Sequence, residues 1–84
     1  MNYFYSEMDG ARQDLVDAIK SQVIDMNRIH ACFERLVDVF AIKDEDQLLD
    51  EALLAAKCAG FEDGEDDERW VWNSALEWWE DNRT

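Results

Sequence analysis

Proline is absent from this 84-residue sequence, and glycine occurs only at Gly10, Gly60 and Gly64. With so few breakers, helices can run long without an internal stop. Basic residues are also scarce, eight Lys and Arg against 21 Asp and Glu, which leaves a net charge of −13. A field of that sign repels DNA, RNA and anionic lipid, so direct nucleic-acid binding and membrane attachment are excluded as expectations. Histidine occurs once, at His30. No Ser-His-Asp or Cys-His arrangement can be drawn, and no Gly-rich phosphate loop is present, so the chain is not expected to be an enzyme or to hold a cofactor.

No apolar run approaches the length of a membrane span. The start, Met1 to Glu7, lacks a basic region followed by an apolar core, so no secretion signal is expected and the expected location is cytoplasmic. Cys32 and Cys58 then read as free thiols in a reducing compartment, with a disulfide between them left open.

Apolar residues are not scarce. They make up 48% of the chain and include four Trp, four Phe and two Tyr, enough to build a core and to exclude a disordered acidic tail. A chain this short supports one core, so residues 1–84 are expected to form a single all-helical domain.

Leu15, Ile19, Val23, Met26, His30, Phe33, Val37 and Phe40 recur at spacings of three and four, a heptad-like seam widened by Val16, Ile29, Leu36 and Val39. Ser6 with Asp9 resembles a helix start, and the pattern predicts helix from about residue 7 to 41. Such a helix would be about 50 Å long, roughly twice the diameter of an 84-residue globule. Either it breaks near Asp25 to Arg28, or its seam packs on a second copy or a partner.

Asp44 with Gln47 fits an N-cap with a reciprocal acceptor. Leu48, Leu49, Ala52, Leu53, Ala56 and Ala59 follow at helical spacing, with Gly60 placed for a left-handed cap. A third helix is predicted over about 65–82, with Trp72, Leu76 and Trp79 on its core face, Val71, Ala75 and Trp78 extending that face and Trp70 at its edge. The fold class is therefore all-α, a small bundle of three or four helices. Its parts are a long N-terminal helical region, a short Ala-rich middle helix and a Trp-rich last helix.

His30 and Cys32 diverge by about 200° around a helix and cannot pair. A calcium loop needs alternating oxygen ligands, a central glycine and a closing glutamate, and neither Asp44 to Glu51 nor Asp63 to Glu68 supplies them, so no metal site is expected. The candidate surface is instead two acidic blocks. Asp44, Glu45, Asp46, Asp50 and Glu51 form one, and Glu62, Asp63, Glu65, Asp66, Asp67 and Glu68 form the other. Carboxylates at helix starts are favoured by the helix dipole, so singly they need no function, but blocks this dense also match the charge of a nucleic acid. Trp70 and Trp78 are expected at the boundary of the last helix as anchors for a partner protein.

These features predict a protein-binding inhibitor that occupies the basic surface of a nucleic-acid-binding protein. In size, charge and lack of chemistry the chain resembles, in kind only, the small acidic inhibitors that phages deploy against restriction or CRISPR systems, which would place it in the host cytoplasm. The alternative is a helical adaptor that dimerises through the Leu15 to Phe40 seam and holds a partner on its Trp helix.

Overall fold

A break in the long apolar seam organises the molecule. The computed structural model describes residues 3–62 and 64–83, with side chains from residue 7 onward. Four helices follow in order, α1 (Tyr3–Lys20), α2 (Met26–Phe40), α3 (Glu45–Cys58) and α4 (Asp66–Arg83). They pack into an all-α bundle 38 Å in its longest dimension, which a continuous helix over the first half would overrun.

The break falls at Ser21–Asp25, about one turn before the predicted place. The Ser21 hydroxyl donates to the Val23 carbonyl at 2.9 Å, and Asp25 turns extended. Its carboxylate accepts from the Asn27 and Arg28 N–H groups at 3.0 and 3.4 Å. The polar cluster Asp25 to Arg28 thus starts α2 by satisfying orphan donors, and does not end α1. Ser6 is likewise no cap, because α1 already begins at Tyr3.

Folding α1 and α2 against each other closes the seam inside one chain. Leu15, Ile19, Phe33 and Val37 are buried, with Ile29 and Leu36 beside them, so these residues are core and not a dimer face. Full burial stabilises side chains of this size by about 1.5–3 kcal/mol each. Val23, at the break, is the exception, 79% exposed, with Ile24 and Met26 also exposed.

Two dissimilar caps end α2 and α3. α2 stops at Ala41, whose φ of 51° is left-handed without the freedom of glycine. Ile42 N–H then donates to the Val37 carbonyl at 3.0 Å and buries its side chain. At the end of α3, Gly60 takes φ 94°. There Gly60 N–H donates to Lys57 and Phe61 N–H to Ala56, both at 3.0 Å, the paired bonds of a Schellman motif.

Asp44 caps α3 as predicted, accepting from Gln47 N–H at 3.0 Å, while Gln47 Oε1 accepts from Lys43 N–H at 3.1 Å. Ala52, Ala55 and Ala56 of α3 are buried, as is Ala75 of α4, and small side chains let helices approach closely. Cys32 is buried and Cys58 exposed, and both are free thiols. Burial pushes the Cys32 thiol up, assisted by the Asp14 carboxylate and opposed by Arg28 and Arg35.

Candidate protein-binding surface

The first acidic block occupies the start of α3, where unpaired N–H groups favour negative charge. Asp44 spends one oxygen on the cap. Asp46 and Asp50 are exposed, and Glu45 is half-buried. Glu51 turns inward, and its two oxygens accept from Arg12 Nε and Nη2 at 2.8 and 2.9 Å. The same guanidinium lies 4.7 Å from the centre of the Phe40 ring, so Arg12 joins α1, α2 and α3. The hydrogen bond to Glu51 raises the Arg12 guanidinium above its ordinary value. Glu51 is therefore a structural member of the block.

The second block occupies the α3–α4 connection and the first turn of α4. Glu62, Glu65, Asp66 and Asp67 are exposed. Asp63 lies outside the described residues. Glu68 is half-buried, because its Oε1 accepts from Gly64 N–H at 3.0 Å and closes the turn into the helix. Its other oxygen, Oε2, is withdrawn from solvent and takes no hydrogen bond among the described residues.

The fold does not merge the two blocks. They stand at opposite ends of α3, a 14-residue helix spanning about 20 Å. Among the described residues Arg12 offsets Glu51 in the first block. Arg35 pairs with Asp14 on α1, Arg69 reaches Asp66 only at 3.7 Å, and Arg83 lies over the Trp79 ring at 5.6 Å.

Two of the four tryptophans, Trp72 and Trp78, depart from expectation. Trp78 is 7% exposed and is not a boundary anchor. Val71 and Ala75, both with no exposed surface, set the inward face of α4, and Trp78 continues that line onto Phe33, with ring centroids 6.0 Å apart. Trp79 is buried as predicted, but Trp72 is only half-buried, as is Trp70. The core stripe is thus rotated toward Val71, Ala75 and Trp78, which were expected only to extend the face of Trp72, Leu76 and Trp79 and instead form its centre.

That rotation leaves Trp72 on an open cleft of about 400 Å³ between α3 and α4. Leu53, Glu65, Glu68, Arg69 and Asn73 line it with Trp72. Sequence reasoning missed this group, although Glu68 and Trp72, four residues apart, share a helix face. Among the described residues no group of three His, Cys, Asp or Glu is placed to hold a metal ion, and no helix is long and apolar enough to cross a membrane. No protein-family model, curated protein or solved structure matches the chain.

Proposed function

We propose that this protein is an acidic inhibitor that occupies the basic surface of a nucleic-acid-binding protein, as a nucleic-acid mimic. The observation that carries the reading is the exposure of Asp46 and Asp50 in the first two turns of α3 and of Glu62, Glu65, Asp66 and Asp67 in the α3–α4 connection and the start of α4. Carboxylates fixed on rigid helix ends present charge in a set geometry, as a phosphate backbone does, and a partner built for phosphate gains the same electrostatic attraction from them. Phage proteins that counter restriction or CRISPR systems are the kind of inhibitor the reading resembles.

The test is capture on the immobilised protein from nuclease-treated bacterial lysate, with elution by a salt gradient and identification of what leaves. A nucleic-acid-binding protein is expected to elute at moderate salt, to be displaced by duplex DNA, and to be lost on reversing Asp66 and Asp67 to Lys. A complex indifferent to salt and to those reversals refutes the proposal. A second reading, contact through an apolar patch, now rests on exposed Val23, Ile24 and Met26 at the α1–α2 corner. Binding that survives high salt and disappears with Val23→Ser would favour it.

A further inference from the structure

We infer that the cleft between α3 and α4 receives an arginine side chain of the basic partner, with Trp72 as the stacking surface and Glu68 as the hydrogen-bond acceptor. The inference rests on the reading above and names the contact within it. The cleft measures about 400 Å³, enough for a side chain and too open for a small metabolite to be enclosed.

Its composition selects the ligand. Leu53 and half-buried Trp72 supply apolar surface for a methylene stem, and an indole face attracts a cation, best a planar one. Glu65 and Glu68 supply negative charge from the turn into α4. Glu68 is anchored through Oε1 to Gly64 N–H, which leaves Oε2 without a donor among the described residues. Oε2 is withdrawn from solvent, so a guanidinium entering along Trp72 reaches the Glu68 carboxylate when its broad terminal torsion turns, exchanging which oxygen Gly64 N–H holds and offering the other to the cleft. Arg69 also lines the cleft, 65% exposed and 3.7 Å from Asp66, so an incoming cation meets one like charge that the Asp66 carboxylate partly offsets.

Lysine is the discriminating comparison. Its compact, strongly hydrated ammonium cannot stack on the indole or donate in a planar fork, so a cleft of this kind prefers arginine, whereas a diffuse acidic surface accepts either.

The experiment titrates the whole protein at low salt with a capped tetra-arginine peptide, and separately with tetra-lysine, followed by heteronuclear NMR. Resonances of the Trp72 indole N–H, Asn73 and Leu53 are expected to move, with tetra-lysine several-fold weaker. Trp72→Leu should weaken tetra-arginine about tenfold, Glu68→Gln should weaken it in the same direction, and Arg69→Gln should tighten it. Far-UV circular dichroism checks the fold of each variant, and Glu68→Gln carries the test should Trp72→Leu unfold. If both peptides bind equally, shift mainly Asp46, Asp50 and Asp67, and ignore both substitutions, the cleft is refuted and the acidic-surface reading stands. If neither peptide binds at low salt, both fall.

Discussion

Asp50 and Glu51 are neighbours in one acidic block, yet the fold gives them opposite duties, and substituting each in turn separates stability from binding. Exposed ion pairs contribute about 0.2–1 kcal/mol after solvent screening. The Arg12–Glu51 pair belongs at the top of that range, because it is bidentate and the Glu51 side chain is only 16% exposed against 44% for Arg12. Glu51→Gln should therefore cost about 1 kcal/mol. Arg12→Ala also removes the guanidinium from the Phe40 ring, which adds about 0.5–1 kcal/mol. Each kcal/mol lowers the melting temperature of a domain this size by about 4–8 °C. Asp50→Asn, at an exposed position, should stay within about 0.5 kcal/mol of the parent.

Thermal and urea unfolding followed by far-UV circular dichroism measures all three, and a double-substitution cycle of Arg12→Ala with Glu51→Gln isolates the pair. A coupling of about 1 kcal/mol that shrinks in high salt is expected. Binding to a basic partner should run the other way, weakened by Asp50→Asn and little changed by Glu51→Gln. A coupling under about 0.3 kcal/mol, or equal destabilisation by Asp50→Asn and Glu51→Gln, refutes the division.

The two left-handed caps predict substitutions of opposite sign. Gly60→Ala should destabilise by about 1 kcal/mol, with no steric clash to add to it, whereas Ala41→Gly should stabilise by up to about 1 kcal/mol, and urea midpoints decide both. Phe33→Ala empties the centre of the core under Trp78 and should cost about 3–5 kcal/mol, a large share of the stability of an 84-residue domain. A colorimetric thiol reagent should find one fast site, Cys58, in the native protein and a second, Cys32, only on denaturation. Because the Cys32 thiol is raised in the folded state, the unfolded chain loses that proton first. Stability is then complete below the free-thiol value of about 8.5 and falls as pH rises past it, and Cys32→Ala should flatten the decline.

How much of this was legible in the sequence depends on the range of the interaction. Short-range signals read correctly: Asp44 with Gln47 at the start of α3, Gly60 at its end, and the Trp-rich span of α4. The break in the first helical region was legible as a necessity of length but not as a place. No proline or glycine marks Ser21–Asp25, and Asp25 reads equally well as an interruption or a start. Two sidedness errors have one cause. A periodic pattern fixes a helix face only to within a residue, and in α4 the choice was made by Val71 and Ala75 meeting the core, which sent Trp78 inward and Trp72 to the cleft. Glu51 could not be told from Asp50, because its partner Arg12 lies 39 residues away.

All four tryptophans of the chain sit on α4, and none on the other three helices. Intrinsic fluorescence is therefore a local probe of one helix, whereas the far-ultraviolet signal averages over four. Trp78 and Trp79, shielded in the core, should emit to the blue and resist aqueous quenchers, while half-buried Trp70 and Trp72 supply the quenchable fraction. Superimposable unfolding curves from the two signals would show that α4 leaves the bundle only when the bundle itself dissolves. An earlier optical transition would mark the last helix as a separately yielding unit.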